Sequence, residues 1–164
     1  MPEHLSFDER VNRIEAITGR RFNNKTLLQE ALTMAGGPIQ PPCRNNGQKS
    51  LALVGDAVLS LVLVMEGYQR GYEGGMISKV ISVKASNANL AEVGMGNALD
   101  RLVYTNPAQH GVLSPRTMAT AVEAILGAVY VDSGEDVQAV RSTMEALQLT
   151  WPNNEFLIEM FKCS

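Results

Sequence analysis

Aromatic residues are scarce, at 5% of the 164 residues, so any core must be built from Leu, Val, Ile, Ala and Met. Cysteine is scarcer still. Cys43 and Cys163 are remote from each other, and with His4 and His110 they offer no zinc-site spacing. Two isolated cysteines suit a reducing compartment. An excess of basic charge is also missing: 14 Lys and Arg against 17 Asp and Glu give a net charge of −3. That excludes a broad cationic face for gripping phosphate, and leaves a local patch or weak binding. Charge alone favours an ordinary acidic soluble protein. Residues 1–13 alternate apolar and charged types and lack the apolar centre of a secretory signal, so an intracellular, non-secreted protein is expected, with cytoplasm, nucleus and mitochondrion undistinguished. The longest apolar stretch, residues 51–65, contains Asp56 and Ser60 and reads as too short and too polar for a membrane span.

What is present is helical patterning. Apolar residues make up 45% of the chain, which suits one globular domain. Ser6 and Glu9 form a capping box ahead of Val11, Ile14 and Ile17, and Gly19 supplies a stop. Asn24 is placed to cap a second helix carrying Leu27, Leu28, Ala31 and Leu32. Residues 35–48, with Gly36, Gly37, Pro38, Pro41 and Pro42, read as a loop. Residues 49–69 are apolar nearly all round and predict a central helix buried on most faces, too long for a usual strand. Beyond Gly74-Gly75, helices are expected near 76–84 and 87–94, then an irregular stretch over 96–113. Ser114-Pro115 opens a helix to about residue 131. Helices near 135–148 and 153–162 close the chain. The fold class is all-α, with one domain over residues 1–150 and a C-terminal extension, one short helix, over 151–164.

Two acids sit oddly in this pattern. Asp56 lies in an apolar run, where an unpaired buried carboxylate costs several kcal/mol, roughly, unless bonded or bound to a cation. Gly55 weakens its helix by about 1 kcal/mol relative to Ala, so close approach of another helix is its simplest use. Glu123 sits among apolar neighbours on a second helix. The two can meet at one cation site, or each can cap a loop or pair with an arginine such as Arg116 or Arg101. Thr120 and Glu123 also match a capping box, but Ser114-Pro115 already starts that helix, which leaves Thr120 in mid-helix.

Around these acids run two segments: Lys49-Ser-Leu-Ala52-Leu-Val-Gly55-Asp56-Ala-Val-Leu59, and Ala119-Thr120-Ala-Val-Glu123-Ala-Ile-Leu-Gly127-Ala-Val-Tyr130-Val-Asp132-Ser-Gly134. They resemble the signature and the second motif of the ribonuclease III domain. Gly19-Arg-Arg-Phe22, Leu27-Leu28 with Ala31-Leu32-Thr33, and Asn89-Leu90-Ala91-Glu92 resemble its opening and connecting segments. The resemblance covers roughly residues 8–145. It implies an all-helical domain that dimerises through the signature helix and presents acids to a valley holding double-stranded RNA. In active members four carboxylates per subunit bind Mg2+ or Mn2+, which lowers the pKa of a water and steadies charge on the phosphodiester.

This chain departs from that pattern. Asp56 and Glu123 match two ligand positions and are the candidate catalytic and metal residues. Ala52 and Thr120 stand at the other two, and Lys49 replaces an acid at the head of the signature. Lys49 falls two turns from Asp56 on one helix face, where its ammonium would disfavour a cation. Weak metal binding and impaired cleavage are the expectation. Lys79, Lys84 and Arg116 are candidate RNA contacts, against the plainer reading of a solvated face that includes Arg101 and Arg141. Leu53 and Leu59 are candidate dimer contacts, unless they only fill the monomer core. Residues 146–164 leave room for one helix and not for a double-stranded-RNA-binding domain.

Three functions remain open to such a chain. It is a degenerate ribonuclease III-like homodimer that binds double-stranded or structured RNA with little or no cleavage. Alternatively it is a divergent metal-dependent endoribonuclease, with Thr120 orienting a water, or a protein-interaction or ribosome-associated structural module. A heterodimer with an intact family member is a further possibility for its partner.

Overall fold

The computed structural model describes residues 5–38, 46–106, 108 and 111–162. Cys43, Cys163, His4, His110 and the loop prolines Pro41 and Pro42 lie outside them. The described residues form α1 (Phe7–Thr18), α2 (Lys25–Leu32), α3 (Lys49–Gln69), α4 (Gly74–Lys84), α5 (Asn87–Gly96), α6 (Pro115–Asp132), α7 (Val137–Ala146) and α8 (Asn154–Lys162). Among them β-structure is limited to one isolated bridge, between Thr33 and Tyr104. The fold is all-α, as the pattern predicts.

The capping signals act as written in the sequence. Ser6 Oγ accepts from the Glu9 N–H while the Glu9 carboxylate accepts from the Ser6 N–H, and Gly19 ends α1 at φ 69°. The Asn24 side chain accepts from the Thr26 N–H at the head of α2. Ser114 Oγ accepts from the Thr117 N–H, with Pro115 in the first turn of α6. Two boundaries move. Gly74 and Gly75 form the first turn of α4 rather than preceding it. Helix α7 starts at Val137, because Glu135 takes a left-handed conformation (φ 66°) and the Asp136 carboxylate caps the Gln138 N–H. The stretch over 96–113 contains a 3-10 turn at Leu99–Arg101, entered through Ala98 at φ 54°.

The helix at the centre is α6, not α3. Helix α6 buries ten residues, from Met118 through Val129, and packs against α2, α3, α5 and α7. Helix α3 buries one face, including Leu51, Ala52, Gly55, Val58, Leu59 and Leu63. Its other side leaves Leu53 74% and Tyr68 73% exposed, with Leu61, Val64 and Met65 also open to solvent. Uniform hydrophobicity along residues 49–69 carries no information about sidedness, which is why the pattern overstates the burial. The membrane argument also needs correction. Helix Lys49–Gln69, whose most apolar 18-residue window has mean hydropathy 1.8, is long and apolar enough to cross a bilayer by length and composition. Length therefore does not separate the two environments; the packing of one face on α6 makes α3 a core helix of this fold.

Contact between α3 and α6 is backbone to backbone. A Cβ on Gly55 would collide with the carbonyl oxygen of Glu123, and a Cβ on Gly127 with that of Leu51. The two glycines let the helix axes approach closer than any side chain permits. Helices α1 and α2 are tied in by polar contacts. Arg10 is buried and donates to the carbonyls of Leu5, Arg101 and Leu102. The Asp132 carboxylate, at the end of α6, accepts from the N–H groups of Asn23 (3.0 Å) and Asn24 (2.7 Å) and pairs with Arg20 at 3.5 Å. A second apolar cluster, separate from the main core, joins Val80, Trp151 and Leu157 and seats α8.

Candidate functional site

The α3–α6 crossing places two carboxylates beside each other. Gly55 is pressed against the Glu123 carbonyl, so Asp56, the next residue, emerges at the rim of the contact. Asp56 is exposed, which corrects the expectation of a carboxylate paying for burial on a mostly buried helix. The desolvation falls on Glu123 instead. Burial raises its pKa to about 7, with the negative charge of Asp56 adding to the rise. Neither acid is ion-paired to Arg101 or Arg116 among the described residues. Asp56 thus stands close enough to Glu123 to act on its titration.

The other family positions surround them without adding negative charge. Ala52 is buried, one turn before Asp56. Thr120 shares a helix face with Glu123, and its hydroxyl donates to the Arg116 carbonyl at 2.9 Å. That hydrogen is engaged by the helix backbone, and only oxygen lone pairs face outward. Lys49 is exposed in the first turn of α3 and forms no ion pair with Asp56. Among the described residues, no group of three or more His, Cys, Asp or Glu is arranged to hold a metal ion.

The candidate basic residues are placed unequally. Arg116 is exposed in the first turn of α6. Lys79 and Lys84 are half-buried on α4. The Lys79 ammonium stands 4.5 Å from the centre of the Phe161 ring, and that of Lys84 5.5 Å from the Phe156 ring. Burial lowers the pKa of Lys84. The plain solvated-face picture therefore fits Arg116 better than either lysine.

Of the two candidate dimer residues, Leu53 is exposed and Leu59 is fully buried in the monomer. Leu59 is a core residue and is not available to a second chain. Sequence reasoning missed Leu61, Val64, Met65 and Tyr68, which continue the exposed apolar side of α3. Their signal was there: from Leu53 through Ala57, Leu61 and Val64 to Tyr68 the spacing is three or four. Near this side a cavity of about 430 Å³ is lined by Val54, Tyr130, Val131, Gly134 and Glu135. Asp132 was read only as part of a motif; its carboxylate organises the α1–α2 connection.

Comparison with known proteins agrees with this architecture. The ribonuclease III domain model matches residues 49–134, which span α3 to the end of α6. Ribonuclease 3 of Campylobacter fetus subsp. fetus is 30% identical over 151 residues, covering 89% of this chain and 65% of the relative. Ribonuclease 3 of Bdellovibrio bacteriovorus is 30% identical over 136 residues, covering 79% of this chain and 58% of the relative. The chain thus spans less than two thirds of the length of these curated relatives. A solved nuclease domain of ribonuclease III from Campylobacter jejuni superposes with a TM-score of 0.74 at 22% identity, covering 87% of this chain and 97% of that one. That likeness shows the fold. With the family model matched across the α3–α6 crossing that carries Asp56 and Glu123, the chain belongs to the ribonuclease III domain family.

Proposed function

We propose that this chain is a degenerate ribonuclease III domain that pairs with a second copy of itself, binds double-stranded or structured RNA, and cleaves it poorly or not at all. The observation that carries this is the composition of the site: Asp56 and Glu123 alone carry carboxylates where the family pattern has four. The residues present do not fit a four-carboxylate Mg2+ or Mn2+ site. Ala52 has no donor, and Thr120 offers a neutral oxygen whose hydrogen is held by Arg116. The exposed side of α3 supports pairing. Leu53, Leu61 and Tyr68 give a self-complementary two-fold contact its apolar surface, with the nearby cavity at Val54 and Tyr130 suited to an apolar side chain. RNA binding rests on the family and on exposed Arg116, with half-buried Lys79 and Lys84 as further contacts, and is modest because the net charge is −3.

Binding of a double-stranded RNA at two salt concentrations, with a Mg2+ titration of the free protein, tests the proposal. Salt-sensitive RNA binding with no stoichiometric metal uptake is expected. A tight, stoichiometric Mg2+ site in the RNA-free protein contradicts it. A second reading, a divergent active endoribonuclease, is favoured by one fact: Asp56 and Glu123 are close enough for one charge to shift the other's titration, which is the field a cation relieves.

A further inference from the structure

Helix α8 meets α4 through side chains at Lys79, Val80 and Lys84, and its hold there is narrow. Leu157 is its one buried residue among those described. It enters the small cluster with Val80 and Trp151, bordered by Tyr72 and Met160, apart from the main core. Tyr72 stacks on Trp151 at 5.4 Å, so the receiving surface is built independently of α8. On either side of Leu157 a ring of α8 meets a lysine of α4: Phe156 faces Lys84, and Phe161 faces Lys79. Both rings are otherwise open to solvent, at 38% and 42% exposure.

An ammonium over a ring face is held by the ring's electron-rich centre and has given up part of its water. A phosphate oxygen cannot take the space a ring already fills, so each ring leaves its lysine fewer directions from which a phosphate can approach. We propose that α8 is a strap that engages Lys79 and Lys84 through Phe161 and Phe156 and withholds the ring-facing side of each from RNA phosphates, so that its release opens that side to binding. The inference rests on the RNA-binding reading given above. Both lysines lie on one helix, five residues apart, so one displacement uncovers both.

Two full-length variants test it. Phe156→Ala/Phe161→Ala removes both rings, and Leu157→Ala removes the anchor. The rate at which a water-soluble amine reagent labels each lysine, read by mass spectrometry, reports masking without RNA; exposed Lys25 is the reference. Lys79 and Lys84 are expected to label several-fold faster in both variants, with Lys25 unchanged. Binding of a double-stranded RNA is expected to tighten roughly tenfold at low salt, with a salt slope steeper by about two phosphate contacts. Equal labelling in wild type and variants overturns the strap. Faster labelling with unchanged affinity, in a chain that does bind RNA, overturns its role in withholding the lysines. Absence of RNA binding by every form, with the labelling difference present, overturns the RNA-binding reading and the inference with it.

Discussion

The carbonyl oxygen of Glu123 occupies the space in which a side chain on Gly55 would begin. Backbone contact at that point fixes where α3 and α6 cross, and so where Asp56 and Glu123 stand. Gly55→Ala forces the helices apart and is expected to destabilise the fold by about 1–3 kcal/mol in urea unfolding. Gly96→Ala, at a helical glycine with open space around it, is the control and is expected to be neutral or slightly stabilising. Equal effects of the two would remove the crossing as the organising contact.

Glu123 titrates near 7 because it is partly buried beside Asp56. A carboxyl whose folded pKa lies above its unfolded value of 4.5 holds its proton more tightly in the folded state. Stability is then greatest below pH 4.5 as far as this group is concerned, and falls as pH rises from there to about 7. The loss is on the order of 1 kcal/mol once solvent screening of a half-exposed group is allowed for. Glu123→Gln is expected to flatten that part of the profile. Asp56→Asn is expected to lower the Glu123 pKa, read by carboxyl-carbon NMR, but not to return it to 4.5, since burial is the larger cause.

Leu53 and Leu59 separate the proposed dimer contact from the core. Leu53→Asp, on the exposed side of α3, is expected to yield monomers in sedimentation with little loss of monomer stability. Leu59→Ala, at a fully buried position, is expected to cost about 2–5 kcal/mol in unfolding. A dimer that survives Leu53→Asp places the interface elsewhere.

Asp132 binds the α1–α2 connection through two backbone N–H groups and Arg20. Asp132→Ala leaves those donors without their acceptor and is expected to cost about 3 kcal/mol. Amide exchange is expected to quicken first at Asn23 and Asn24; uniform quickening across the domain would contradict a local tether.

Much of this was legible in the residues. Ser6 with Glu9, Asn24, and Ser114 with Pro115 announce helix starts by chemistry that acts within one turn, and the structure uses all three. Gly55 announced a close helix contact, because a glycine inside a strong helix has few other uses. The side of α3 that faces solvent was not legible. Leu53 and Leu59 are the same residue type in one apolar run, and only the position of α6 makes one exposed and the other buried. The exposure of Asp56 was missed for the same reason. The lysine–phenylalanine contacts between α4 and α8 join residues 72 and 82 positions apart, which no local pattern records.

The central claim is that two carboxylates are too few for efficient cleavage. The most direct measurement is degradation of a long double-stranded RNA, beside a single-stranded control, in Mg2+ or Mn2+, by the wild-type chain and by Glu123→Ala. The account predicts salt-sensitive binding of the double strand and little or no cleavage above the level of Glu123→Ala. Efficient metal-dependent cleavage that Glu123→Ala abolishes would contradict it, and would make this chain a divergent nuclease that works with Asp56 and Glu123 alone.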